Sequence, residues 1–108
     1  MKLRFILVAM GILLALQVAA QDSKSNTVDV KIDNFSFAPG TITIPVGTTV
    51  RWTNRDDIPH TVVSDDQRTF ASKTLDTDDQ FSYKFTKPGT YGYFCSIHPK
   101  MTGKVVVQ

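Results

Sequence analysis

The strongest constraint on the fold is a series of short runs in which apolar and polar residues alternate. In the first run Val28, Val30 and Ile32 alternate with Asp29 and Lys31, which is the two-residue period of a strand with one buried face. Similar runs, bounded by turn residues, recur at residues 27–33, 42–44, 50–54, 60–64, 80–85, 90–95 and 104–107. No run after residue 26 has a helical period. The pattern predicts an all-β protein of seven or eight strands, with two antiparallel sheets packed face to face as a sandwich.

The same alternation predicts which side chains fill the space between the sheets. The expected core consists of Val28, Val30, Ile32, Val50, Trp52, Phe81, Tyr83 or Phe85, and Tyr91 or Tyr93. Residues 65–79 are polar and have no clear period, so they are predicted to form a long connection with one helical or strand-like turn. An immunoglobulin-type sandwich is disfavoured, because it normally has a cysteine on each side of its buried tryptophan. Here one cysteine follows Trp52 and none precedes it.

The first twenty residues have the order of a secretory signal peptide. Lys2 and Arg4 precede an apolar run at residues 5–16, and the small residues Val18 and Ala20 precede Gln21, as at a cleavage site. The apolar run is shorter than the ~20 residues needed to span a bilayer. We therefore predict a signal peptide at residues 1–20, a single folded domain at residues 21–108, and no stable membrane insertion after cleavage.

Charge excludes one class of partner. The formal net charge of +2 comes from 12 basic and 10 acidic residues, and removing Lys2 and Arg4 leaves 12 − 2 = 10 of each sign. A near-neutral chain without a basic patch of interleaved aromatic residues does not fit nucleic-acid binding.

The chain has one cysteine, Cys95, whereas exported domains normally use cysteines in disulfide pairs. Cys95 is therefore an intermolecular bridge, a reactive thiol, an inert buried residue or a metal ligand. His98 and Met101 follow it at intervals of three residues, so a tight turn after a strand could aim all three side chains at one point. His60, the other histidine of the chain, opens a predicted strand after a loop at residues 54–59.

The donor types decide which metal fits. Each of the four residues alone has an ordinary structural explanation, but a thiolate, two imidazoles and a weak thioether together match type 1 copper. Structural zinc sites usually contain more thiolates, and catalytic zinc or non-haem iron sites usually keep an open position. We predict that His60, Cys95, His98 and Met101 bind one copper ion. Four protein donors close the metal to substrate, which favours a carrier of single electrons over an enzyme.

The spacing of Cys95, His98 and Met101, followed by Gly103 and an apolar last strand, resembles the cupredoxins, the type 1 or blue copper proteins, in their amicyanin and plastocyanin branches. The resemblance implies a Greek-key sandwich with copper at one end and a diffusible electron shuttle of the periplasm. It implies redox partners such as a c-type cytochrome or a dehydrogenase, and we expect a monomer. In that family the second histidine lies near the surface, so His98 would be the point where the electron enters and leaves.

Ile97 stands where the amicyanin pattern has proline, and unlike proline it keeps an N–H. We expect this N–H to donate a second hydrogen bond to the Cys95 sulfur, beside one from Thr61. An apolar rim around the two histidines is expected from Ile58, Pro59, Ile97 and Pro99. Lys100 in the same loop would favour an acidic partner face, or it is simply solvated.

Two other functions remain open from the sequence. An exported copper-binding protein that delivers or buffers the metal would often use exposed clusters of methionine or histidine, whereas only Met101 remains after cleavage of the signal peptide, which removes Met1 and Met10. An adhesion or interaction sandwich without metal would require the donor pattern to be accidental.

Overall fold

The structure is a computed structural model that describes residues 26–108. The predicted signal peptide and the first residues of the predicted mature domain lie outside this part of the chain. Eight strands occur in the order β1 (Thr27–Asp33), β2 (Ser36–Ala38), β3 (Thr41–Ile44), β4 (Thr49–Asn54), β5 (Val63–Ser64), β6 (Gln80–Lys84), β7 (Gly89–Phe94) and β8 (Thr102–Val107). None of the described residues belongs to a helix of the length and apolarity needed to cross a bilayer. The predicted all-β fold is confirmed.

The strands form two four-stranded sheets, one in the order β2-β1-β4-β6 and the other in the order β3-β8-β7-β5. The expectation that both sheets are antiparallel is wrong, because β1 pairs with β4 in parallel and β3 pairs with β8 in parallel. Parallel neighbours cannot be joined by a hairpin, so the chain crosses between the sheets before it returns. This crossing pattern is that of the Greek-key sandwich implied by the family resemblance.

A two-residue hairpin joins β1 to β2. Asp33 pairs with Ser36, and the two residues between them, Asn34 and Phe35, have φ angles of 51° and 57°. Positive φ at both central positions is the mark of a type I′ turn, which usually has glycine at the second position. The alternation pattern did not predict a turn here.

The core lies between the sheets. Of the predicted core residues, six are buried and four are only half-buried. The buried ones are Val30, Ile32, Val50, Trp52, Phe85 and Tyr93, and the half-buried ones are Val28, Phe81, Tyr83 and Tyr91. Alternation along a strand indicates which face points inward, but the curvature and the edges of a sheet decide how completely each side chain is covered.

The connection at residues 65–79 is more closely tied to the core than its polarity indicated. Phe70 and Leu75 are 4% and 1% exposed and are part of the hydrophobic cluster. The connection also forms isolated β-bridges, Ala71 with Val63 and Leu75 with His60. The predicted strand-like character is therefore present, and it reaches the first candidate metal ligand.

Candidate metal centre

One end of the sandwich carries the loop between β7 and β8, which we call the ligand end. Cys95 directly follows β7, and Met101 directly precedes β8. The loop is closed by two backbone hydrogen bonds, from the Cys95 N–H to the Met101 carbonyl at 3.0 Å and from the Met101 N–H to the His98 carbonyl at 2.9 Å. This closure holds the three predicted donors of the loop at one end of the fold, with Met101 itself 6% exposed.

His60 comes to the same place from the segment between β4 and β5. It is fully buried, and its backbone exchanges two hydrogen bonds with Leu75, at 3.1 and 2.8 Å. The buried amide of Asn54 donates to the carbonyls of Ile58 and Leu75, at 3.0 and 2.8 Å. The loop before His60 and the connection after it are thus joined by the same polar contacts.

The imidazole and thiol groups form a triangle with the dimensions of a metal site. The Nδ1 atoms of His60 and His98 lie 3.7 and 3.8 Å from the Cys95 sulfur, and the three donor atoms all lie within 4.8 Å of one another. Metal–nitrogen and metal–sulfur bonds of about 2.0 and 2.3 Å place N and S about 3.7 Å apart at a trigonal angle, and slightly closer at a tetrahedral one. The donor set and its spacing therefore fit a trigonal copper ion.

Cys95 is prepared for metal binding as a thiolate. Its burial opposes ionisation, but the Thr61 N–H and the His60 and His98 side chains outweigh that effect and lower the pKa of the thiol to about 6. The Thr61 N–H lies 3.3 Å from the sulfur, as expected from the sequence. Because metals bind the thiolate and not the thiol, the site needs little proton release when it is loaded at neutral pH.

The expected hydrogen bond from the Ile97 N–H to the sulfur is not formed in the described structure. The backbone contribution that accompanies Thr61 in lowering the pKa of Cys95 comes from His98, one residue further along the loop. The loop bends at residues 96–98, and the Ser96 N–H donates instead to the Thr61 hydroxyl at 2.8 Å. The expectation that Ile97 donates to the Cys95 sulfur is therefore wrong.

The Asp56 carboxylate orients the His60 ring through the ring nitrogen that does not face Cys95. The Nε2 of His60 lies 2.9 Å from Asp56 Oδ2, and Nδ1 faces the Cys95 sulfur, so the carboxylate selects the tautomer with hydrogen on Nε2. The hydrogen bond from His60, together with one from the Phe35 N–H, lowers the pKa of Asp56. Sequence reasoning missed this residue, although an acidic side chain four positions before a candidate ligand was a usable signal.

The ligand end is apolar around His98, which is itself half-buried. Of the expected rim, Pro59, Ile97 and Pro99 are exposed and Ile58 is half-buried, and Lys100 is exposed. Sequence reasoning missed Phe35, which is 45% exposed and whose ring contacts both histidine rings.

Comparison with known proteins assigns the family. A profile of the cupredoxin-like domain matches residues 6–107. This chain is a cupredoxin. Amicyanin-alpha of Methylorubrum extorquens is 35% identical over 94 residues, which cover 83% of this cupredoxin and 79% of that protein. The chloroplastic plastocyanin of Tetradesmus obliquus is 37% identical over 100 residues, covering 78% and 69% of the two chains.

Solved structures agree with the family assignment. A purple cupredoxin from Nitrosopumilus maritimus is 37% identical with a TM-score of 0.70, and the match covers 75% of this chain and 99% of that one. A copper-containing nitrite reductase from Thermus scotoductus is 36% identical with a TM-score of 0.72, and the match covers 79% of this chain but only 23% of that one. The resemblance to the reductase is therefore a resemblance to one part of a larger protein.

Proposed function

We propose that His60, Cys95, His98 and Met101 are the four ligands of one copper ion in this cupredoxin. The chain is a type 1 copper protein that carries single electrons between redox partners. The observation that supports the ligand set most directly is the triangle of two Nδ1 atoms at 3.7 and 3.8 Å from a buried sulfur. A bound copper ion supplies the one-electron couple between Cu(II) and Cu(I).

The residues of the chain keep the donor atoms in place. Cys95 receives hydrogen bonds from Thr61, and His60 is held by Asp56 and by the backbone of Leu75. Donors that are fixed by the fold need not move when the charge of the metal changes by one. Small movement of the donor atoms is the property that fast outer-sphere electron transfer requires.

We further propose that the electron passes through His98, since it is the half-buried member of the ligand set, whereas Cys95 and His60 are fully buried. The apolar side chains around it suit brief docking of another redox protein. A c-type cytochrome or a dehydrogenase in the periplasm is the partner class that we propose, with the chain acting as a monomer. Four protein donors leave no position for a substrate, and this supports a role other than that of an enzyme.

The proposal includes export. A leader at residues 1–20 that is removed before Gln21 places the domain in an oxidising compartment, where a lone cysteine persists when it is bound to metal. Mass spectrometry of the protein expressed from the full sequence tests this directly. A mature mass that begins at Gln21 supports it, and a full-length product in the cytoplasm contradicts it.

The deciding experiment is the visible spectrum of the purified domain during titration with Cu(II), in wild type and in Cys95→Ala. We expect an intense band near ~600 nm that bleaches on reduction and is absent in the variant. A chelator challenge of the reduced protein separates carrier from delivery protein, because a carrier retains Cu(I) and a delivery protein releases it. Absence of the band in wild type contradicts the ligand set.

A further inference from the structure

The two histidine rings of the ligand end are held in different ways. A metal-binding histidine usually donates its second ring N–H to a carboxylate or a carbonyl, which fixes the plane of the ring. His60 does so through Asp56 at 2.9 Å. Within residues 26–108, the ring of His98 makes a polar contact only through Nδ1, with the Cys95 sulfur. Its orientation must therefore come from packing.

Phe35 supplies that packing. Its ring lies 5.0 Å from the ring of His98 and 5.6 Å from that of His60, centroid to centroid, with an interplanar angle of 88° in both cases. This is the edge-to-face arrangement that aromatic pairs favour. The rings of His60 and His98 are themselves 5.1 Å apart, so the three rings form one contact group.

Phe35 is fixed in turn by the group that fixes His60. The same oxygen, Asp56 Oδ2, accepts hydrogen bonds from the Phe35 N–H at 3.1 Å and from His60 Nε2 at 2.9 Å. One carboxylate oxygen of the loop before His60 therefore binds both the β1–β2 hairpin and the His60 ring. A shift of the hairpin would therefore change the packing of Phe35 against both histidine rings.

Two features of Phe35 carry an energetic cost in the folded chain. Its φ of 57° belongs to the left-handed region, where a bulky residue without glycine's freedom is strained. Its side chain is also 45% exposed. Glycine at this position of a type I′ turn would remove both costs, and backbone strain of this kind is concentrated at functional positions.

We propose that Phe35 is a positioning residue of the copper site, which sets the ring plane of His98 by edge-to-face packing and connects it to His60 through Asp56. This inference rests on the proposed electron-carrier function, but the ring order that it predicts can be measured without copper. With copper bound, the fixed ring would hold the Nδ1 donor of His98 in place. Phe35 thereby acts through His98.

The experiment compares three variants with wild type. Phe35→Gly removes the ring and relieves the turn, Phe35→Tyr keeps the ring, and Asn34→Gly relieves the neighbouring residue of the same turn, whose φ is 51°, while leaving the ring in place. The first readout is the order of the His98 ring in the copper-free protein, by NMR relaxation of ring ¹³C nuclei. The second is the rate of copper removal from the oxidised protein by a chelator.

We expect wild type, Phe35→Tyr and Asn34→Gly to keep an ordered His98 ring and slow release of copper. Phe35→Gly should show a mobile ring and copper release faster by on the order of tenfold, as expected for the loss of two aromatic contacts. The copper-free Phe35→Gly protein should be no less stable to heat than wild type.

An ordered His98 ring and unchanged release in Phe35→Gly would overturn the proposal. So would equal losses in Phe35→Gly and Asn34→Gly, because the stiffness of the turn would then be the cause. The ring-order measurement needs no metal, so a protein that lacks the copper band altogether would reject the electron-carrier function while the role of Phe35 is still decided.

Discussion

Replacing Leu75 with alanine tests whether the connection at residues 65–79 supports the metal site or merely covers the core. The Leu75 side chain is 1% exposed, and its carbonyl accepts hydrogen bonds from the His60 N–H at 3.1 Å and from the Asn54 amide at 2.8 Å. The apolar side chain thus anchors a backbone segment that is hydrogen-bonded to a proposed ligand.

The expected cost follows from the atoms removed. Leu→Ala deletes three buried carbon groups at about 0.8 kcal/mol each, or roughly 2.4 kcal/mol of transfer free energy. The cavity left behind raises the total to about 3–4 kcal/mol. For a domain of this size each kcal/mol shifts Tm by roughly 4–8 °C, so the copper-free variant should melt on the order of 20 °C lower.

The matched control is Val107→Ala. Val107 is 3% exposed and is the last residue of β8, whereas the ligand loop lies just before the start of that strand. Deleting two buried carbon groups there should cost about 2–3 kcal/mol. Unfolding of both copper-free variants in urea measures global stability. Competition for copper against a chelator measures how far each side chain supports the metal site.

We expect copper affinity to fall in Leu75→Ala by more than in Val107→Ala once the two are compared at equal fractions of folded protein. Equal affinities in the two variants would refute the reasoning, because Leu75 would then act on the core alone. A loss of stability below about 1 kcal/mol in Leu75→Ala would also refute it, since the side chain would not be an anchor.

Three further changes test other parts of the structure. Asp56→Ala should weaken copper binding by about 10–100-fold, because the His60 ring loses its hydrogen bond to the carboxylate. Chelator competition measures this affinity. An unchanged affinity would show that the backbone hydrogen bonds of His60 are enough to orient its ring. Gly103→Ala should destabilise the fold by about 1–3 kcal/mol in urea unfolding, because a Cβ there would overlap the Tyr93 ring, and unaltered stability would mean that the ring moves freely. Burial raises the pKa of Tyr93 to about 12, so the folded state retains a proton that the unfolded chain loses near pH 10. The free energy of unfolding should therefore fall between pH 10 and 12. Tyr93→Phe should make the free energy of unfolding less dependent on pH in this range.

The sequence was sufficient for the parts of the fold that depend on local pattern. Alternation of side chains locates strands such as β1 and β4 because only one face of each is buried. It did not assign the strands to sheets, and the two parallel pairs arise from contacts between distant segments. Phe70 and Leu75 were missed as core residues because each stands alone in a polar segment, where burial is set by tertiary packing and leaves no local period.

The residues of the candidate site also divide into those that the sequence predicts and those that depend on tertiary packing. Cys95, His98 and Met101 could be predicted together because one loop carries all three, and His60 followed because the chain has only one other histidine. Phe35 could not be predicted as a contact of the histidines, since its turn lacks the glycine that normally signals a type I′ hairpin. Its approach to His98 depends on a hydrogen bond to Asp56, 21 residues away.

The side chains of Cys95, His60 and His98, three of the four proposed ligands, are each held by a different physical means. Hydrogen bonds from Thr61 hold the Cys95 sulfur, a carboxylate and a β-bridge hold His60, and aromatic packing holds His98. All of these contacts are made by groups of the chain itself, so we expect folding to form the site before copper binds. Copper should then stabilise the folded state by mass action. The relative order of amide exchange rates along β1 and β4 should stay the same. We expect donors fixed in this way to move little when the oxidation state of copper changes, which keeps the energetic cost of the change small. A substitution that loosens the copper-free site should therefore slow electron transfer even where copper remains bound.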